Sequence, residues 1–188
     1  MLLPGKHINL RLVDISDATV IVKWRNSPKA KYLNKGASTV EDQIKWIQNI
    51  SNNEYNYIIE TKNNMPVGMI SLYSINTQHK NAEVGRLILG DSELTIDLPV
   101  VYEALLLVMD FAFNELRLHR LYGTIFSDNL AMIKFNKYLG MREEGILRGH
   151  YLKNGEYQDI IVLGLLENEY KNTYRKKLIT MLNLLNKK

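Results

Sequence analysis

Residues 98–116, LPVVYEALLLVMDFAFNEL, are almost wholly apolar, and this run constrains the fold more than any other. A helix apolar on all sides must be buried. Asp97 is placed to cap it and Pro99 to sit in its first turn, where a missing N–H costs little. Strand-like stretches flank the run, AEVGRLILG (82–90) before it and HRLYGTIF (119–126) after it. A strand, a buried helix and a strand read as a crossover that leaves the two strands parallel.

Upstream the pattern changes. YNYIIET (55–61), VGMISLYSI (67–75) and AEVGRLILG follow one another without a helix between them, and the turn KNNMP separates the first two. Three consecutive strands imply an antiparallel meander. HINLRLV (7–13) alternates like a strand, and DATVIVKWRN (17–26) reads as a short helix broken at Ser27–Pro28. Ser38 and Glu41 have capping-box spacing ahead of a second helix carrying IKWIQNI.

Downstream, DNLAMIKFNKYLG (128–140) is a helix capped by Asp128 or Asn129 and ended by Gly140. REEGILRGHYL, the turn KNGE and YQDIIVLGLL form a hairpin. A helical tail over 167–186 puts Tyr174, Leu178, Met181, Leu182 and Leu185 on one face. The order β-α-α-β-β-β-α-β-α-β-β-α predicts an α+β fold, a mixed and mostly antiparallel seven-stranded sheet with helices packed on it.

The chain has 188 residues, enough for one domain with a real core. It contains no cysteine, which excludes disulfides and thiolate chemistry and permits a cytoplasmic location. The four histidines, at 7, 79, 119 and 150, lack zinc-ligand spacing, so no metal is expected. No apolar run approaches the roughly 20 residues that cross a bilayer, and the first residues lack the pattern of a signal peptide. A net charge of +4 suits an anionic small molecule and argues against a nucleic-acid binder.

Gly85 interrupts the interior of a strand, where glycine marks a local kink, or a bulge that splays the backbone of Leu87, Ile88 and Leu89 to bind an extended ligand. Between Gly90 and Pro99 the strand-to-helix junction carries Asp97 but no further glycine.

The order of elements and several motifs resemble the GNAT acetyltransferases over roughly residues 5–168. The run NLAMIKFNKYLGMREEGILRGHYLKNGEYQDIIVLGLL is the most specific part, and LRLHRLYGTIFSDN before it also fits. The nearest branch is the RimJ/RimL-like group. KWRNSP followed by EDQIKWIQNI is similar to the acetyltransferases of the pseudaminic acid pathway, which act on nucleotide-linked amino sugars. The resemblance implies a GNAT domain over 1–168, with helices on both faces of the sheet. A C-terminal amphipathic extension, 169–188, would then pack on the domain or on a second copy, so a homodimer is one expected assembly. Attachment of this basic tail to a membrane surface is the less favoured use.

The resemblance implies acetyl-CoA as acyl donor and direct attack of a neutral amine on the thioester. Pantetheine would pair with the backbone of Leu87, Ile88 and Leu89, and an N–H there would hold the developing oxyanion. Glu83 is the expected general base, with Glu143 and Glu144 as alternatives. The family's phosphate-binding glycines are absent, which leaves the amides of Val100, Val101 and Tyr102 to face the pyrophosphate, with Asp97 as a competing charge. Asn136 stands where many members have an acidic tyrosine; it can hydrogen-bond sulfur but supplies no proton. Asn129 would lie near pantetheine. Arg25, Asn26, Tyr32, Tyr73 and His150 are the expected acceptor contacts, since a guanidinium and the neighbouring Lys29, Lys31 and Lys35 suit a diphosphate. The implied function is N-acetylation of a nucleotide-linked sugar. The alternatives are acetylation of a protein N-terminus, or a non-catalytic binding protein derived from the same fold.

Overall fold

The parallel crossover forms as the apolar run requires. In the computed structural model, which describes residues 1–91, 93, 99–153 and 155–185, chain order gives β1 (Leu2–Pro4), β2 (Ile8–Leu12), α1 (Ala18–Arg25), α2 (Val40–Gln48), β3 (Tyr55–Thr61), β4 (Pro66–Asn76) and β5 (Asn81–Leu89). Then come α3 (Val100–Asp110), β6 (Arg120–Phe126), α4 (Leu130–Leu139), β7 (Arg142–Lys153), β8 (Glu156–Leu166), α5 (Glu167–Glu169) and α6 (Arg175–Leu185). The strands form one sheet in the order β1-β2-β3-β4-β5-β6-β8-β7, eight where seven were expected. Only β5–β6 is parallel; the other neighbours are antiparallel.

The strand missed in the sequence is β1, only three residues long and ending in a proline. A carboxylate buried in the apolar helix steadies the turn after it. Glu103 of α3 accepts from the backbone N–H groups of Lys6 (2.5 Å), His7 (2.9 Å) and Ile8 (3.2 Å). Gly5 allows that approach, because a Cβ there would lie 2.7 Å from Glu103 Oε1.

The interior strand β3 is buried on both faces. Tyr57 and Ile59 join α3 in the larger core, while Ile58 packs with Met69, Ile88 and the α1 residues Ile21 and Trp24. Helices therefore cover both faces of the sheet. α2 begins one residue later than its expected cap: Thr39, not Ser38, accepts from the backbone of Asp42 at 3.1 Å. α4 is capped by Asn129 and ends at Gly140, whose φ of +130° suits glycine.

The tail packs on its own chain. Tyr170, Tyr174 and Leu178 are fully buried in the larger core. Asp110, at the end of α3, binds Tyr170 Oη at 3.0 Å and Arg175 Nε at 2.8 Å. No described helix is long and apolar enough to cross a membrane.

Candidate active site

The feature that shapes the site is a bulge in β5. Met69 of β4 pairs with Ile88, and Ser71 pairs with Gly85, so two steps along β4 face three along β5. The extra residue leaves Arg86 with φ +54°, a left-handed conformation that costs a non-glycine residue on the order of 1 kcal/mol. Polar contacts hold it there. The Arg86 guanidinium binds Glu54 Oε2 at 2.5 Å and Asn56 Oδ1 at 2.8 Å, and lies 4.2 Å from the centre of the Tyr73 ring. Asn56 Oδ1 also accepts from Ser71 Oγ at 2.7 Å, which joins β3, β4 and the bulge. Gly85 leaves room for Tyr73, whose Oη would stand 3.0 Å from a Cβ at that position.

Beyond Glu83 and Tyr122, β5 and β6 part. β6 continues its pairing with β8, so the edge of Val84–Leu89 that would face β6 has no strand opposite it among the described residues. The gap is a cleft of about 530 Å³ whose wall includes Val84, Leu87, Thr124, Asn129, Met132 and Asn136. An extended chain bearing amides can add to such an edge as a strand would. The pantetheine arm of acetyl-CoA has that chemistry, and the apolar side chains around it suit its methylenes.

A second cavity, about 460 Å³, lies between the sheet, α1, α2 and the loop joining those helices. Arg25, Asn34, Lys35, Gln43 and Trp46 line it, and Arg86 stands in the walls of both cavities. Arg86, at the bulge, thus borders both spaces. The far end of β5 is anchored on α1. Gly90 lies so close to the Trp24 indole that any Cβ would overlap it, and Asp91 accepts from Trp24 Nε1 at 2.9 Å and Lys23 Nζ at 2.8 Å.

Glu83 sits half-buried at the point where β5 and β6 separate. Thr124 Oγ1 donates to its carboxylate at 2.5 Å. Burial, together with the charge of Glu83, raises the Tyr73 pKa. Burial and Glu83 raise that of Tyr122 as well. Both phenols thus stay protonated at neutral pH.

The other expected residues divide between the two cavities. Leu87, Asn129 and Asn136 line the cleft, and Asn136 Nδ2 donates to Met132 O at 2.9 Å within its own helix. The Ile88 side chain points instead into the α1 core, and Leu89 packs against the larger core. Val100 is buried, while Val101 and Tyr102 are half-buried in the first turn of α3, whose amides receive no side-chain cap. Asp97 lies outside the described residues. Arg25 lines the second cavity, but Tyr32 lines the cleft and bridges to Asp128 O at 3.5 Å.

Tyr73 stands at the bulge. Asn26 closes α1, donating to Val22 O and Ala37 O, and His150 is exposed on the edge strand β7; neither is among the described residues lining these two cavities. Glu144 is held by Arg120 and Glu143 by Lys137, each in an ion pair. Thr124 and Arg86 were not foreseen. The signal for Arg86 was its place beside the strand glycine; Thr124 gave none.

The comparisons agree with this geometry. The family profile described as an acetyltransferase (GNAT) domain matches residues 7–142. The uncharacterized N-acetyltransferase p20 of Bacillus licheniformis is 25% identical over 174 residues, 88% of this chain and 96% of that protein. A spermidine N(1)-acetyltransferase of Vibrio cholerae is 27% identical over 122 residues, 64% of this chain and 68% of that one.

Among solved structures, a GCN5-related N-acetyltransferase from Brucella melitensis superposes with a TM-score of 0.81 at 19% identity, covering 97% of this chain and 85% of its own. A variant of the Vibrio cholerae spermidine N-acetyltransferase gives 0.76 at 22% identity, covering 89% and 98%. These two show the shared fold. The family match and the cleft together establish that the chain belongs to the GNAT acetyltransferases, with acetyl-CoA as its acyl donor.

Proposed function

We propose that the protein acetylates the primary amine of a nucleotide-linked sugar by direct attack on the thioester of acetyl-CoA. The observation that carries this reading is that Arg86, at the bulge, stands in the walls of two cavities. The donor lies in the cleft along Leu87, Ile88 and Leu89, beside Asn129, with its phosphates toward the amides of Val100, Val101 and Tyr102. The acceptor enters from the side of α1 and α2.

Acetyl-CoA supplies the activated acetyl group. Glu83 takes the ammonium proton, directly or through one water, while Thr124 orients its carboxylate. A backbone N–H on the free edge of β5 stabilises the charge that develops on the carbonyl oxygen. As the N–C bond forms, the C–S bond breaks and the nitrogen gives up its second proton to solvent. A thiol of pKa about 8.5 leaves as thiolate without a protein acid and takes its proton from solvent, so Asn136 need only hydrogen-bond the sulfur. The names of the spermidine-acetylating relatives favour a polyamine acceptor as a second reading.

Release of free thiol from acetyl-CoA tests this directly, and the chain adds no background because it has no cysteine. Nucleotide amino sugars are expected to turn over faster than spermidine or peptides with free N-termini. Fastest turnover of spermidine would support the polyamine reading, and fastest turnover of peptides the RimJ/RimL-like one. Binding of acetyl-CoA without turnover of any amine would leave a non-catalytic protein.

A further inference from the structure

The acceptor-side cavity carries a charge pattern that the transfer reaction does not require. Its wall contains Arg25, Lys35 and Arg86, and none of its lining residues among those described is a carboxylate. Arg86 is already paired with Glu54. Arg25 is not paired: it is half-buried, its guanidinium donates to the backbone carbonyl of Asn34, and no carboxylate among the described residues forms an ion pair with it or with Lys35. The loop is shaped to this guanidinium, since a Cβ on Gly36 would come within 2.9 Å of Arg25 Nε. Burial and the nearby Arg86 lower the Arg25 pKa, as expected for a cation that lacks a counter-charge. A half-buried guanidinium without an anion is costly to maintain, and its planar fork matches phosphate and carboxylate oxygens.

We infer that Arg25 and Lys35 form an anion subsite in the acceptor cavity, which takes a phosphate or carboxylate of the acceptor and turns polyamines away. The remaining wall fits that role: Asn34 and Gln43 offer neutral polar groups, and Trp46 a flat apolar face. Because Arg86 is shared with the cleft, an anion held at Arg25 leaves the amine of the same molecule directed toward the bulge. Among the described residues of this wall a polyamine finds no carboxylate to bind its second or third charge. The subsite deepens the amino-sugar reading and rests on it only for the identity of the natural anion.

The test is calorimetric titration of inorganic pyrophosphate into the full chain saturated with CoA, so that the cofactor cleft is already filled. Saturable binding is expected, weakened by salt, and about tenfold weaker or more in Arg25→Gln, a loss of the size expected for a charge-assisted contact. Lys35→Gln should show a smaller loss, and CoA affinity should be the same in both variants. Lys35 is exposed, so its variant keeps the test open even if Arg25→Gln fails to fold. Absence of pyrophosphate binding, or equal binding in wild type and both variants, overturns the subsite.

Acetylation of glucosamine 6-phosphate against glucosamine separates this inference from the reading beneath it. A preference for the phosphorylated amine that disappears in Arg25→Gln supports both. Arg25-dependent pyrophosphate binding with neither these amines nor any nucleotide amino sugar acetylated keeps the subsite and overturns the amino-sugar reading. Spermidine preferred over both overturns the subsite.

Discussion

Glu83→Gln separates proton removal from binding. The amide keeps the size of the carboxylate and still accepts the hydrogen bond that Thr124 Oγ1 makes at 2.5 Å, so the apex of the cleft should keep its shape. The variant cannot take a proton. Positioned general bases contribute about 10²- to 10⁴-fold, or about 2.7–5.5 kcal/mol of barrier, and kcat should fall by that factor. Without a base only the already neutral amine reacts. For a simple alkylamine, with pKa near 10, that is about one molecule in a thousand at pH 7. The logarithm of the residual rate should therefore climb by about one per pH unit until the amine itself is neutral. Acetyl-CoA affinity should change less than about twofold, because the proposed donor site runs along Leu87 rather than on Glu83. Steady-state kinetics from pH 6 to 9.5, with calorimetry for the donor, read all three quantities. A kcat within threefold of wild type with an unchanged pH profile would remove Glu83 as the base. A large loss of donor affinity would make it a binding residue.

Two predictions concern stability. Leu178 is fully buried, so Leu178→Ala should cost about 2–5 kcal/mol, whereas Leu184→Ala, at a position 55% exposed, should cost less than about 0.5 kcal/mol. Chemical denaturation measures both, and equal effects would mean that the tail is not part of the folded core. Burial raises the phenol pKa values of Tyr57, Tyr170 and Tyr174. These phenols ionise in the unfolded chain near pH 10 but not in the folded one, so stability is lost as pH rises above about 10, by about 1.4 kcal/mol per tyrosine at pH 11. The Tyr174 hydroxyl has no hydrogen-bond partner among the described residues, so Tyr174→Phe should be near neutral at pH 7 and should remove its share of the alkaline loss. An alkaline loss of the same size in the variant would refute this assignment.

What was legible in the sequence follows from which forces act locally. The long apolar run fixed a buried crossover because no other placement hides it, and Gly85 flagged the bulge because an interior strand glycine needs a steric reason. Asn129 and Gly140 marked both ends of α4 through capping chemistry that involves only near neighbours. β1 was not legible, because three residues ending in proline have little strand signal of their own and lie beside a turn tied to Glu103, about a hundred positions away. The cap of α2 was misplaced by one residue because Ser38 and Thr39 both have an acidic residue three positions on. Within the site, Arg25 was read from its neighbourhood of basic residues, but Tyr32 fell on the cofactor side of the loop. Which side of a loop faces which cavity is decided by the docking of α1 on Gly90 and Asp91, a long-range contact that no local pattern reports.

The account depends on a cleft opened by the bulge that still receives its donor without a glycine-rich phosphate loop. Acetyl-CoA titrated into the purified protein by calorimetry, with thermal unfolding alongside, tests this most directly. At 100 times its dissociation constant the ligand should stabilise the fold by about 2.7 kcal/mol. For a chain of this size that raises the melting temperature by roughly 5–11 °C. Such a shift with measurable heat is the predicted result. No heat and no shift at millimolar acetyl-CoA would contradict it, and the transferase reading would fall with it.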